Sequence, residues 1–252
     1  MKFVVAIKQV PLRDSPLRIA ASGLWIDETN PQYEINEPDA YALEEALQLR
    51  EKHGGEVVVL CAGPERAAAT IREALAKGAD RAIHVETTSA ALDTLSTARL
   101  LAEAVKSEAP DLILTGLQSD DLGYGQTGVV LAELLGVPHS TIIMQVEIRD
   151  TTLRVKRELE DGWFQHIEMP LPAVLTIQSG LNKLRYATLM GIKKAKTKEL
   201  RVVKAEAPAA SCAVIEKIYA PLKSKQAQIF TGDAKAAAAQ LIEKLKFEAR
   251  VL

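Results

Sequence analysis

The chain has 252 residues, 48% of them apolar and 25% charged, with a formal net charge of −2. That length can bury a full core without disulfide or metal staples. The near-neutral balance excludes a global electrostatic attraction to nucleic acid or to an anionic membrane, and no run approaches the ~20 apolar residues that span a bilayer.

The opening MKFVVAIKQV sets a short apolar run between two lysines. It is too short for a signal-peptide core and predicts a first strand over 3–7, so a cytoplasmic chain is expected. Arg18 to Asp27 alternates weakly around Gly23 and suggests a hairpin off the main sheet. A helix is expected over 38–52, with Asn36 as its cap and Pro38 early in its first turn. Next come strand 56–61, helix 65–77 stopping at Gly78, strand 81–85, helix 89–106, strand 112–115 and helix 128–135. Strand 141–145 follows.

Four β-α units in order predict a doubly wound, mostly parallel α/β sheet with right-handed crossovers. From Val146 the pattern changes to short antiparallel strands over 146–149, 153–157 and 164–168, with turns at Asp150-Thr151 and Asp161-Gly162. Strand 173–178 returns to the sheet. Residues 179–198 are expected as a loop followed by a basic helix, 205–213 as an Ala-rich linker or arm, and 234–247 as a last helix.

Cys61 and Cys212 lie far apart in sequence, which suggests reduced thiols in an intracellular protein. His53, His84, His139 and His166 lack metal-ligand spacing, and no Ser-His-Asp or GxSxG pattern is visible. His84, inside a strand, reads as a packed or surface histidine. Glu158, Glu160 and Asp161 read first as a solvated hairpin, and Lys193, Lys194, Lys196 and Lys198 as a solvated face or a steering patch.

A doubly wound sheet binds ligands beyond the carboxyl ends of its strands, at the switch point. The segments there are Ala6-Ile7-Lys8-Gln9, Leu60 to Pro64, and the Gly-rich stretch Gly116 to Gly128. The last ends in Gln126-Thr127-Gly128 at a helix start, where free N–H groups suit a phosphate. It is neither a Walker A sequence nor GxGxxG, so on spacing alone a ligand site and a plain Gly-rich connection both stand.

Leu184 to Lys196, reading LRYATLMGIKKAK, resembles the signature of the electron transfer flavoprotein beta subunit, an RYATL-like segment before a lysine-rich helix. Val4 to Pro11, Asn36 to Asp39 followed by Ala42 to Ala46, Ala69 to Arg81, and Gly125 to Gly128 are similar to the same family in order and spacing, over residues 1 to about 200. The resemblance implies an adenine nucleotide alpha hydrolase-like sheet over 1–204, with a docking loop at about 182–198. It also implies a 205–252 arm and helix that pack on a larger alpha subunit.

It implies one FAD held mainly by alpha and one structural AMP in this subunit. The AMP contacts would be Ala6; Asn36, Glu37, Pro38 and Asp39; Ala62; and Gly116, Leu117, Gln118, Ser119, Asp120, Asp121, Leu122, Gly123, Tyr124, Gly125, Gln126 and Thr127. The family can carry Cys at position 62, so Ala62 implies a backbone contact. Tyr186, Ala187, Thr188, Leu189, Met190, Gly191 and Ile192 would dock dehydrogenases, with Leu189 as the anchor. Glu158 would tie the mobile flavin domain. Where some members place a flavin-edge tyrosine after strand one, this chain has Leu12-Arg13-Asp14.

The implied role is an electron carrier without bond-making chemistry of its own. It would accept electrons from acyl-CoA and related dehydrogenases through the FAD and pass them to a quinone oxidoreductase of the respiratory chain. Electron-bifurcating members bind a second FAD in place of AMP. A universal-stress or nucleotide-hydrolase-like protein would need phosphate loops that are absent here. A third rival is a bare assembly subunit without a ligand of its own.

Overall fold

The computed structural model describes residues 1–87, 92–205, 211–221 and 227–252. The chain divides into a large unit, Met1–Lys217, and a small one, Ile218–Leu252. In the large unit the elements run β1 (Lys2–Ala6), β2 (Gln9–Pro11), β3 (Tyr33–Ile35), α1 (Glu37–His53), β4 (Glu56–Gly63), α2 (Ala67–Lys77), β5 (Arg81–Glu86) and α3 (Thr94–Lys106). They continue with β6 (Leu112–Gly116), α4 (Thr127–Leu135), β7 (His139–Arg149), β8 (Thr152–Glu158), β9 (Phe164–Pro170), β10 (Ala173–Ile177), α5 (Leu189–Ala195) and β11 (Leu200–Lys204). The small unit contains α6 (Ala234–Phe247), whose cap is the Asp233 carboxylate accepting from Ala236 N at 2.7 Å. Leu241, Ile242 and Phe247 on this helix are exposed.

Nine strands form one sheet in the order β11-β5-β4-β1-β6-β10-β7-β8-β9. It is parallel from β11 to β7 and antiparallel through β8 and β9. The chain steps from β1 outward through β4 and β5, then crosses back to lay β6 on the other side of β1. The switch point therefore lies at the carboxyl ends of β1 and β6.

The apolar runs that predict buried strands explain the layers. Successive side chains alternate between faces, so Phe3, Val5, Val57, Val59, Leu112 and Leu114 pack with Leu43 and Leu47 of α1 and Ile71 and Leu75 of α2. Val4, Val58, Leu60 and Ile113 join Leu101 and Val105 of α3 and Leu131 of α4 on the other face. Helices cover both faces, as the continuous apolar strands require.

Several expectations are refined. Runs 141–145 and 146–149 are one strand, β7, with a register shift between Ile143 and Gln145. Its first part pairs parallel with β10 and its second antiparallel with β8, so one strand serves both the main sheet and its extension. Strand β11 and the β2–β3 pair carry little sequence signal, because β11 is a mostly exposed edge strand and β2 and β3 are three residues each. The hairpin at 18–27 is present, closed by an Ile19–Ile26 bridge. The helix expected over 89–106 is described from Thr94, capped by Asp93 accepting from Ser96 N at 2.8 Å; residues 88–91 lie outside the described residues. Likewise 206–210 of the expected linker lie outside them.

Asp93 also accepts from the backbone N–H groups of Cys212 and Ala213. The Ser96 bonds, reinforced by these two, hold its carboxyl at about 2. His84 is packed, with Nε2 3.0 Å from the Gly63 carbonyl.

Candidate functional site

The loop after β6 is fastened to the start of α1 by side chains rather than by sheet bonding. Asn36, expected as a helix cap, makes no side-chain capping bond. Its amide donates to Gln118 O at 2.9 Å and accepts from Asp120 N at 2.8 Å. Helix α1 instead opens with Glu37 and Asp39 in its first turn, where the helix dipole favours acids. Glu37 N donates to Asp120 Oδ2 at 3.2 Å.

Asp39 joins the two strand ends of the switch point. Its Oδ2 accepts from Lys8 N at 2.8 Å, just after β1, and its Oδ1 from Gly116 N at 2.7 Å, at the end of β6. Burial pushes the Asp39 carboxyl up to about 7, against the lowering pull of those two N–H groups, Asn36 and the Lys8 charge. Gly116 is required here: a Cβ would lie 2.4 Å from Asp39 Oδ1 and 2.7 Å from Asp39 N. Lys8 Nζ reaches across to Asp121 at 2.6 Å and Ser119 at 3.3 Å.

These bonds frame a cavity of about 270 Å³ beyond the carboxyl ends of β1, β4 and β6. Of the positions that the resemblance gives to AMP, all but Glu37, Pro38, Asp120 and Gly123 line it. Those four stand behind the wall: Pro38 packs under Gly116, Glu37 and Asp120 bond to each other, and Gly123, at φ +66°, turns the loop. Ala6 and Ala62 put small side chains on the wall, and Thr127 brings the start of α4 to it. The Gln126 side chain does not cap α4, which leaves first-turn N–H groups for an anion.

Residues from elsewhere in the chain complete the cavity. Gln9, Trp25, Glu28, Tyr33 and Arg66 form one wall. Arg66 stacks over Tyr33 at 4.4 Å and pairs with Glu28 at 2.9 Å, and Glu28 accepts from Trp25 Nε1 at 3.0 Å. Gln9 Nε2 donates to Thr70 at 2.7 Å, while its Oε1 is a buried acceptor without a hydrogen-bond partner among the described residues. Gln9 belongs to the strand-one exit; the others come from the 18–27 hairpin and the residue after it, from β3 and from the cap of α2, and no local pattern marks them.

The Cys61 thiol is buried and pushed up to about 12 by desolvation, with the Asp39 charge adding to it, so it is a poor nucleophile. No cluster among the described residues could hold a metal ion.

Close packing sets the position of α4. A Cβ on Gly128 would lie 2.5 Å from Thr176 Cγ2 and 2.7 Å from Thr115 Oγ1. Gly128→Val is expected to push α4 off β6 and β10, costing about 1–3 kcal/mol of stability in a urea titration, as overpacking does. A Gly128→Val protein with unchanged stability would contradict that packing.

The second segment of interest lies at α5. Tyr186 is 93% exposed and Leu189 81% exposed, with Met190 and Ile192 also on the surface. Ala187 and Gly191 are half-buried, and Thr188 caps α5 by accepting from Gly191 N at 3.0 Å. Glu158, half-buried at the end of β8, lies 3.5 Å from the Gln178 amide. Among the described residues no helix is long and apolar enough to cross a membrane.

Together these features define a doubly wound α/β protein with a ligand-sized cavity at its switch point and a separate exposed apolar ridge. The profile of the electron transfer flavoprotein domain matches residues 23–208. The chain is 37% identical over 257 residues to the electron transfer flavoprotein subunit beta of Methylophilus methylotrophus, covering 96% of this chain and 97% of that protein. It is 36% identical over 257 residues to the protein of that name from Bradyrhizobium diazoefficiens, covering all of both chains. With the Homo sapiens protein of that name it shares 38% identity over 208 residues, 81% of each. The chain belongs to the electron transfer flavoprotein family.

Proposed function

We propose that this chain is the beta subunit of a heterodimeric electron transfer flavoprotein that binds one structural AMP and docks the dehydrogenase donating its electrons. The observation that carries the reading is the convergence of four sequence segments, around Ala6, Asn36–Asp39, Ala62 and Gly116–Thr127, on one cavity of about 270 Å³. A cavity beyond the strand ends at the switch point is where a doubly wound sheet takes a nucleotide. The fit is chemical as well. The α4 N-terminus and Thr127 would hold the phosphate, Ala6 and Ala62 would let the base approach the backbone, and Gln9 Oε1 offers an unpaired acceptor.

FAD, held mainly by the alpha subunit, supplies the redox chemistry of the dimer. This chain's residues supply position: the nucleotide-braced switch point, the exposed ridge at Tyr186–Ile192, and Glu158 as a tie to the flavin-bearing domain. Donors would be acyl-CoA-type dehydrogenases and the acceptor a quinone oxidoreductase. Helix α6, with Leu241 and Ile242 exposed, supports packing of the 205–252 segment on the alpha subunit.

The test is to purify the chain with its alpha partner, denature the complex and quantify released nucleotide. One AMP and one FAD per heterodimer is the expected result. Two FAD and no AMP would assign the chain to the bifurcating branch, and one FAD without AMP would overturn the cavity as a nucleotide site.

A further inference from the structure

Helix α5 is seven residues long, and a helix of that length is not stable on its own in water. Its Leu189, Met190 and Ile192 side chains are exposed and gain nothing from the core. Its order must come from contacts behind it: Ala195 is buried in the core, and two cations bond the helix ends. Arg72 on α2 donates through Nη1 to the carbonyls of Ala195 at 2.6 Å and Lys198 at 2.8 Å, at the carboxyl end of α5. Lys198, just past α5, donates through Nζ to Leu75 O at 3.0 Å and to Ala79 O, at the carboxyl end of α2.

Each helix thus lends a cation to the terminal carbonyls of the other, where orphan acceptors and the negative end of the dipole favour one. The backbones are also in direct contact: a Cβ on Gly191 would lie 2.3 Å from the Ala76 carbonyl oxygen. Upstream, Arg185 is fastened to α1 through Glu44 at 2.7 Å and Glu51 at 2.7 Å. The exposed stretch from Tyr186 to Ile192 is therefore held at both ends by polar bonds, most of them half-buried.

We propose that Arg72 and Lys198 are positioning residues that fix α5 in the pose from which Leu189 meets a partner protein. The inference rests on the docking role given above to Leu189. Its physical content is preorganisation. A weak, quickly reversed contact made by one apolar knob cannot also bear the entropy of ordering the segment that carries it. The clasp orders it in advance. Lys198 accordingly differs from Lys193, Lys194 and Lys196, which are exposed and free to steer an acidic partner.

The experiment uses the heterodimer, with a medium-chain acyl-CoA dehydrogenase reduced by octanoyl-CoA as the donor. Arg72→Gln and Lys198→Met are each expected to raise the KM for the dehydrogenase about tenfold at unchanged kcat. FAD content and reduction by dithionite should stay at wild-type levels, because neither passes through α5. Amide exchange over 189–195 should quicken about tenfold or more in both variants, and Arg72→Lys should recover part of the KM. Unaltered exchange and KM in both variants, with Leu189→Ala raising KM, would overturn the clasp and leave the docking reading intact. Faster exchange with KM unmoved in the clasp variants and in Leu189→Ala alike would overturn the docking role itself. A parallel loss of kcat and flavin would show the pair to be merely structural.

Discussion

Asp39→Ala is expected to destabilise the heterodimer by about 2–4 kcal/mol, measured by urea denaturation. The two backbone N–H groups of Lys8 and Gly116 lose their shared acceptor in a buried site, and each unsatisfied donor costs about 1–3 kcal/mol. The same variant should release AMP, since the ends of β1 and β6 are no longer tied at the cavity wall. Retention of wild-type stability would show that solvent replaces the carboxylate there.

The pH dependence of this site has a definite sign. Burial raises the folded Asp39 carboxyl from an ordinary 3.8 to about 7. The stability associated with its protonated form is therefore fully present below about 4 and is lost as pH rises through about 7. Asp39→Asn cannot titrate. The stability of wild type relative to Asp39→Asn should fall between pH 4 and pH 7, and a flat difference would contradict the raised value.

Leu189→Ala should leave stability within about 0.5 kcal/mol of wild type, because the side chain is 81% exposed. Its effect should fall on the partner. An apolar anchor that enters a pocket is worth about 2 kcal/mol or more at a hot spot, so the KM for an acyl-CoA dehydrogenase should rise about 30-fold. Reduction of the flavin by dithionite should not change. Asp39→Ala is expected to lower stability and Leu189→Ala to raise KM, which would separate the proposed nucleotide site from the proposed docking ridge. An unaltered KM in Leu189→Ala would remove the ridge from the encounter.

Much of this molecule is legible before folding is considered. Continuous apolar runs such as Val57 to Cys61 are buried on both faces of a parallel sheet, and that requirement writes them into the sequence. Gly78 and Gly136 end their helices because the chain there takes positive φ. The Gly-rich stretch 116–128 marked the site for the same class of reason: at Gly116 and Gly128 a side chain would strike neighbouring atoms within 3 Å. Asn36 shows the limit. Its place before a helix predicts a cap, yet its amide is used by Gln118 and Asp120, more than eighty residues away.

The α/β alternation, the strand ends at which a cavity would open and, through ordered motifs, the family can all be read from the residues alone. Those properties depend on periodicity, on backbone conformation and on short contiguous segments, all of them local. Folding alone joins β1 to β6 through Asp39, completes the wall with Arg66, Tyr33 and Trp25, and sets Lys198 against the end of α2 rather than leaving it one more solvated lysine. These roles come from groups 30 to 130 residues apart meeting at hydrogen-bonding distance, and no local preference of the chain encodes such a meeting.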